Sequence, residues 1–229
     1  MMRQLLLSLA PAPAPTLESF YCGRNAAALA AIDQALSGGE RFVFLWGDAG
    51  SGKSHLLRAF VLDALSRGLT SRYVPAPHAD LAAARADEAL AVDDIELLDD
   101  ASQLALFDLY NSVRSDRGRV LTAASCPPAE LSVREDLRSR LGSGIVLRVL
   151  ALEDVEKSAA LNRYAAQRGL KLGPEITSYL LTHCSRDMGT QVAVLDALDR
   201  YSLEHKRPIT IPLMRDALRS LDLLSRRLR

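Results

Sequence analysis

The chain has 229 residues, of which 48% are hydrophobic and 24% are charged. This balance is typical of a folded globular protein, and it excludes a fully disordered chain. Lysine and arginine together number 28, as do aspartate and glutamate, so the formal net charge is zero. The basic excess that is usual in a DNA-binding domain is therefore missing.

The first predicted element is a short apolar peptide, Gln4 to Leu9. It is followed by alternating Ala and Pro at residues 10–15, which form a semi-rigid extended spacer. A peptide on such a tether suits a pocket on a partner, whereas packing against the protein's own body is the alternative. We therefore predict that residues 1–15 are a binding peptide and its tether, with contacts made by Gln4, Leu5, Leu7 and Leu9.

Strands and helices alternate over residues 16–150. Residues 25–36 can form a helix that ends at Gly38-Gly39. The apolar run 42–46 has the composition of a buried parallel strand, and four similar runs follow, with helical segments between most of them. This pattern predicts an α/β base whose five-stranded parallel sheet is covered on both faces. The predicted strands are 42–46, 72–74, 89–92, 120–123 and 145–149.

Only helices are predicted over residues 151–229, which we interpret as a small all-helical lid. The first helix covers residues 153–168 and ends at Gly169, and Pro174 suits the first turn of the second. Two further helices show apolar stripes, formed by Val194, Leu195, Leu198 and Tyr201 and by Leu213, Ala217, Leu218, Leu221 and Leu224.

The cysteines and the hydropathy of the chain indicate a reducing compartment. Cys22, Cys126 and Cys184 include no C-x-x-C pair, so neither a disulfide framework nor a zinc site is expected. No apolar run approaches the length of a membrane span. We therefore expect a cytoplasmic protein with no membrane association.

Residues 47–54 match the phosphate-binding pattern G-x-x-x-x-G-K-[ST] at every position. The glycines let backbone N–H groups turn toward phosphates, and the helix that follows directs its positive end at them. Lys53 is expected to contact the outer phosphates, and the Ser54 hydroxyl to hold Mg²⁺. The sequence thus predicts an ADP or ATP site built from Gly47, Asp48, Ala49, Gly50, Ser51, Gly52, Lys53, Ser54 and His55.

Polar residues end two of the predicted strands, at the edge where ligands bind to parallel sheets. Asp93 and Asp94 follow one strand, and Ser125 follows another. We expect Asp93 to position Mg²⁺ and Asp94 to orient or deprotonate an attacking water. Ser125 is placed to sense the outer phosphate. A polar turn after a strand is the alternative interpretation.

An arginine-rich segment, residues 134–141, precedes the fifth strand. One interpretation is a solvated helix with internal salt bridges. The other is that an arginine is presented to a nucleotide bound by a neighbouring subunit. Arg138 and Arg140 are two residues apart, so on a helix they point to different sides and only one can face that partner.

These features together resemble the base and lid of an AAA+ ATPase of the DnaA-related family, over nearly the whole chain. Arg140 falls on the arginine-finger position of that family. Besides the phosphate loop, the resemblance is carried by Phe20 to Asn25, near the adenine in that family, by the acidic motif Asp93 to Glu96, by Phe107 to Asn111, by Pro127-Pro128, and by the finger box Leu137 to Leu141.

Within the family, the chain is similar to the short regulatory inactivators of DnaA. Gln4 to Leu9 resembles the Q-L-x-L-x-L peptide that binds the sliding clamp, the beta subunit of DNA polymerase III. The resemblance implies a protein that docks on the DNA-loaded clamp and makes DnaA hydrolyse its bound ATP, which blocks a second initiation. The sequence ends at Arg229 after the lid, so we expect no helix-turn-helix and no sequence-specific DNA binding.

Two departures from the family pattern affect the chain's own ATP hydrolysis. Ser125 stands where the family usually has Asp, and Gly189 stands where its lid arginine is expected. The resemblance then implies weak hydrolysis and a stable ADP-bound form. The alternative function is an autonomous AAA+ ATPase, such as a DnaC-like helicase loader or a transposition helper. The sequence leaves open whether the chain forms a homodimer or a higher oligomer.

Overall fold

A computed structural model describes residues 14–77, 80–81, 83–113, 118–170, 172–183, 188–205 and 210–215. They belong to two compact units, one of Pro15–Ala151 and one that includes the chain from Leu152 onward. The predicted clamp-peptide residues lie outside the described residues, and so do Cys184 and the second half of the last predicted helix.

The first unit is built on a five-stranded parallel sheet, as predicted. The order across the sheet is β2-β3-β4-β1-β5. Strand β1 lies between β4, the central strand, and β5, with Trp46 beside Ala124 on one side and Arg148 on the other. The strands are β1 (Phe42–Trp46), β2 (Ser71–Pro75), β3 (Ala89–Asp93), β4 (Arg119–Ala124) and β5 (Ile145–Arg148).

Helices cover both faces of the sheet because successive strand side chains point to opposite sides. On one face Leu45 packs with Ile32 and Leu56, which belong to α1 (Ala26–Leu36) and α2 (Lys53–Ser66). On the other face, buried side chains of the strands pack against α3 (Asp100–Val113) and α4 (Glu135–Leu141). The buried residues of this second face include Phe44, Leu90, Leu106, Tyr110 and Leu137.

The second unit is all-helical over its described residues, as predicted. Glu153 and Glu156 form a capping box at the start of α5 (Asp154–Gln167), and Pro174 opens α6 (Pro174–His183). The third helix is α7 (Met188–His205), and residues 211–215 are also helical. The apolar stripes meet in a separate core formed by Leu161, Ile176, Leu180, Val194, Leu195, Leu198 and Met214.

Within the described part of the chain, no helix has the length and apolar character needed to cross a membrane.

Candidate functional site

The phosphate loop connects the end of β1 to the start of α2, and its backbone requires glycine. Gly47, Gly50 and Gly52 have φ angles of 153°, 75° and 101°, which side-chain-bearing residues rarely adopt. A Cβ on Gly47 would overlap the carbonyl oxygen of Val149, and one on Gly52 would lie 2.8 Å from Cε2 of Phe20. The loop therefore curls tightly between β5 and the segment that leads into α1.

The loop encloses a lysine amine that is bonded only to backbone carbonyls and a hydroxyl that has no partner among the described residues. Lys53 is 9% exposed, and its Nζ donates hydrogen bonds to the carbonyl oxygens of Gly47 at 2.6 Å and Asp48 at 3.0 Å. No carboxylate among the described residues forms an ion pair with it. Ser51 is 4% exposed, and its Oγ has no hydrogen-bond partner there. Both groups are suited to phosphate oxygens, which would satisfy the buried charge and the hydroxyl.

Asp93 ends β3 as a buried carboxylate whose two oxygens are both held by hydrogen bonds. Its Oδ2 accepts a hydrogen bond from the Tyr73 hydroxyl at 2.8 Å, and its Oδ1 accepts one from the N–H of Asp94 at 3.2 Å. Burial, and then the hydrogen bond to Asp93, raise the pKa of Tyr73 to about 12. The hydroxyl is therefore protonated at neutral pH and acts as the donor.

A cation lies beside Tyr73 but does not pair with Asp93. The Arg58 guanidinium is 4.9 Å from the centre of the Tyr73 ring, and its Nη2 is 3.5 Å from the Tyr73 hydroxyl. Asp93 is only 1% exposed, yet it has no ion pair among the residues that the structure describes. Sequence reasoning missed Tyr73 and Arg58, since neither belongs to a motif. Tyr73 approaches Asp93 because β2 and β3 are parallel neighbours, with Pro75 beside Asp93 in their register, and this pairing is visible only in the structure.

Asp94 adopts the left-handed conformation, with φ 54° and ψ 50°, and it is the one described non-glycine residue with positive φ. Its pKa is raised, first by burial and then by the charges of Asp93 and Glu96, while Lys53 opposes the shift. A strained backbone and a raised carboxyl pKa are common at sites that handle a proton. The charge of the phosphate-loop lysine thus acts on the Asp94 carboxyl.

Glu96 connects the acidic turn after β3 to the end of β4. Its Oε1 accepts a hydrogen bond from the N–H of Ser125 at 2.9 Å, and its Oε2 is buried without a partner among the described residues. Ser125 is exposed, and β4 lies between β3 and β1 in the sheet. Lys53, Asp93, Asp94 and Ser125 thus come to one edge of the sheet, which is where parallel sheets bind ligands.

His55 faces the segment before α1 rather than the inside of the loop. Its Nε2 lies 3.0 Å from the carbonyl oxygen of Thr16 and 3.3 Å from Oγ of Ser19. The centroid of its ring is 5.6 Å from that of Phe20, which also contacts Gly52. Burial lowers the pKa of His55, so the imidazole is neutral at neutral pH. This histidine attaches the leading segment to α2.

The single tryptophan of the chain is placed to report on the loop. Trp46 ends β1 directly before Gly47. The Arg148 guanidinium lies 5.1 Å from the ring of Trp46, and its Nη2 is 3.6 Å from a carboxylate oxygen of Asp48 in the loop. A change in the loop would therefore alter the surroundings of the indole.

The two arginines of α4, Arg138 and Arg140, differ in the contacts that their guanidinium groups make. Arg138 donates from Nη2 to the carbonyl oxygen of Val133 at 3.0 Å, and its Nε is buried without a hydrogen-bond partner among the described residues. Arg140 lies over the ring of Phe107, with 5.8 Å between the guanidinium carbon and the ring centre. Among the described residues, the Arg140 side chain makes no hydrogen bond or ion pair, and only its backbone carbonyl accepts hydrogen bonds, from Ser143. Arg138 is therefore held within its own unit, and Arg140 keeps its donors available.

Three comparisons relate the chain to known proteins. The family model described as "Hda, lid domain" matches residues 154–218. An uncharacterized protein of Haemophilus influenzae is 36% identical over 229 residues, covering 95% of this chain and 99% of that protein. Among solved structures, AMPPCP-bound DnaA from Aquifex aeolicus is similar with a TM-score of 0.68 and 23% identity, over 85% of this chain and 70% of that one.

A second solved structure covers the fold more completely. Domain III of the DnaA protein from Thermotoga maritima matches with a TM-score of 0.74 and 18% identity, over 90% of this chain and 96% of that one. These likenesses confirm the predicted AAA+ architecture, an α/β base with a parallel sheet followed by a helical lid.

Proposed function

We propose that this chain, which belongs to the Hda-like family of DnaA-related AAA+ proteins, regulates the initiation of DNA replication by stimulating hydrolysis of the ATP bound to DnaA. Hydrolysis converts DnaA to its ADP form and so prevents re-initiation. The observation that supports this role most directly is the guanidinium of Arg140, which lies over the Phe107 ring but makes no hydrogen bond or ion pair among the described residues. Arg138, in contrast, is bonded internally.

An arginine supplied by a neighbour accelerates phosphoryl transfer through its charge and its geometry. Negative charge spreads over the γ-phosphate oxygens and the leaving oxygen in the transition state. A guanidinium offers several N–H donors in a fixed fork, so it neutralises this charge with directed hydrogen bonds. Arg140 retains these donors, whereas Arg138 would have to give up its bond to Val133. We therefore assign the finger to Arg140 rather than to Arg138.

The chain's own phosphate loop is proposed to hold ADP or ATP with Mg²⁺. The enclosed Lys53 amine and the unpartnered Ser51 hydroxyl fit phosphate oxygens. Mg²⁺ commonly takes one or two protein ligands and completes its shell with phosphate oxygens and water. Ser54 and Asp93 are the residues proposed to hold it, and the Mg²⁺ would neutralise phosphate charge there. The DnaA structure from Aquifex aeolicus has the nucleotide analogue AMPPCP bound in a similar fold.

The bound nucleotide is proposed to act mainly as a structural ligand. Ser125 and Gly189 replace residues that the family uses for sensing the outer phosphate. Asp94 has the raised pKa of a group that can accept a proton, so slow hydrolysis by the chain itself remains chemically feasible. A chain that turned over ATP rapidly without DnaA would instead fit the autonomous ATPase alternative.

The N-terminal peptide is proposed to tether the chain to the sliding clamp in the cytoplasm. Gln4, Leu5, Leu7 and Leu9 would occupy a clamp pocket, and the Ala-Pro spacer would keep them away from the base. Tethering raises the local concentration of the finger near DnaA on the same DNA, so a weak direct contact suffices.

A reconstituted reaction tests this function. DnaA carrying labelled ATP is mixed with a clamp loaded on DNA, and conversion to ADP is followed with and without the chain. We expect strong acceleration that requires the loaded clamp and is lost when residues 1–9 are deleted. The deletion variant should bind ADP like the parent chain, which serves as the folding control. Equal acceleration without any clamp would place the docking contact elsewhere, and no acceleration at all would refute the proposed function.

A further inference from the structure

The hydroxyl of Tyr73 is the strongest internal contact of the buried Asp93 carboxylate. The two residues come from neighbouring parallel strands, β2 and β3, and the hydrogen bond between them is 2.8 Å long. The other carboxylate oxygen accepts only the longer bond from the N–H of Asp94, at 3.2 Å. Both donors are neutral, so they orient the carboxylate while leaving its negative charge uncompensated.

The Tyr73 ring is itself held from the side of the phosphate loop. Arg58 lies over the ring at 4.9 Å and belongs to α2, the helix that begins with Lys53 and Ser54. Ser54 and Arg58 are four residues apart, so they lie on the same face of that helix. The array Arg58–Tyr73–Asp93 therefore connects the first turn of α2 to the acidic end of β3 by way of β2.

We propose that Tyr73 is a positioning residue that holds the Asp93 carboxylate in the orientation needed for Mg²⁺ at the nucleotide site. The proposal rests on the nucleotide site proposed above and adds to it a residue outside its motifs. Hydrogen-bonded outer partners fix the direction of a ligating carboxylate, and their loss typically weakens metal affinity by roughly 10- to 100-fold. Tyr73 lies on β2, outside the phosphate loop, so we expect its effect to be confined to Mg²⁺.

Tyr73→Phe provides the test, because it removes the hydroxyl and keeps the ring under Arg58. ADP binding is measured by calorimetry and by Trp46 fluorescence, first in EDTA and then across a MgCl₂ titration. We expect ADP affinity in EDTA to match that of the parent chain. The MgCl₂ concentration that gives half of the Mg²⁺ effect should rise about 10-fold or more. Asp93→Asn should abolish the Mg²⁺ effect altogether.

Tyr164→Phe is the matched control, since it removes a hydroxyl that donates to Asp196 within the lid. It should leave both measurements unchanged. An unaltered Mg²⁺ titration in Tyr73→Phe would overturn the positioning role, and so would an equal loss of ADP affinity with and without Mg²⁺. Failure of the parent chain itself to bind ADP would refute the nucleotide site and not Tyr73 alone.

Discussion

Two Arg–Tyr–Asp arrangements lie in different units of the chain, and one contact distinguishes them. In the lid, Tyr164 donates to Asp196 at 2.6 Å, and Arg168 lies 5.0 Å from the Tyr164 ring. Arg168 also pairs with Asp196 directly, at 2.9 Å. Burial, and then the bond to Asp196, raise the pKa of Tyr164. In this lid set the acid is paired with a cation and bonded to the tyrosine, and the contacts join α5 to α7.

The corresponding set in the base lacks the ion pair. Tyr73 donates to Asp93, and Arg58 lies over the ring at nearly the same distance as in the lid. Yet the described residues offer Asp93 no cation in contact. A buried carboxylate without a cation is costly for the fold, and such costs are common where a protein binds a charged ligand. The lid set therefore stabilises the fold, whereas the base set leaves the Asp93 charge without an ion pair, as the nucleotide site proposed above requires.

The largest effect is expected from Lys53, whose amine is enclosed by the phosphate loop. ADP at about 1,000 times its Kd should stabilise the folded parent chain by about 4 kcal/mol. Lys53→Ala should lose this stabilisation, because the amine enclosed by the loop is the charge that meets the phosphates. Thermal unfolding with and without ADP measures both values. An ADP-dependent shift of the same size in the variant would show that Lys53 is not part of the site.

Neutralising Asp196 should lower the free energy of unfolding, whereas neutralising Asp93 should not. Asp196→Asn leaves Arg168 without its partner, and we expect the free energy of unfolding to fall by about 2 kcal/mol, discounted because Arg168 is partly exposed. Asp93→Asn removes a buried charge that also repels Asp94, so the nucleotide-free protein should be as stable as the parent or more stable. Urea unfolding of both variants decides the comparison, which fails if Asp93→Asn is the more destabilising.

Arg168 of the lid set and Arg58 of the base set should also differ in how much they stabilise the fold. Arg168→Gln removes an ion pair and a ring contact, and should lower the unfolding free energy by about 1 kcal/mol. Arg58→Gln removes only the ring contact and a long hydrogen bond, so about 0.5 kcal/mol or less is expected. The same urea experiment measures both, and equal losses would remove the distinction between the two sets.

The smallest effect on stability is expected at Asp99, whose carboxylate is held by hydrogen bonds and not by an ion pair. Its carboxylate accepts the N–H of Ser102 at the start of α3, and hydrogen bonds from Ser102 lower the pKa of Asp99. A lowered pKa stabilises the fold above the unfolded value of 3.8, and this contribution is lost as the pH falls below it. Asp99→Asn keeps the cap, so its Tm should be lower by at most about 1 °C at pH 7, and the difference should disappear as the pH falls through the lowered pKa. A difference that grows toward low pH would contradict this assignment.

Local patterns were enough to predict the frame of the site. The loop at 47–54 follows from fixed positions in one stretch of sequence, and the apolar runs predicted five strands whose ends differ by at most one residue from those observed. The hydrogen bond from Tyr73 to Asp93 was not predictable in this way. It depends on which strands are neighbours and on their register, and no motif records either.

The sequence alone could likewise not decide between Arg138 and Arg140 as the finger. Helical spacing shows that they point to different sides, but only packing shows which side is covered. Arg138 is turned toward Val133 because α4 packs on α3 and the sheet, and Arg140 rests on Phe107 of α3. The pattern of the two aspartates is repeated here, with Arg138 bonded internally and the Arg140 side chain without a hydrogen bond or ion pair among the described residues.

The central claim is therefore tested most directly at α4. The rate at which DnaA-bound ATP becomes ADP is measured in single turnover, with DNA-loaded clamp and each of Arg140→Ala, Arg140→Lys and Arg138→Ala. We predict that Arg140→Ala loses stimulation by about a thousand-fold or more, that Lys restores little of it, and that Arg138→Ala keeps most of it. All three should bind ADP and clamp like the parent chain. Full stimulation by Arg140→Ala would contradict the account.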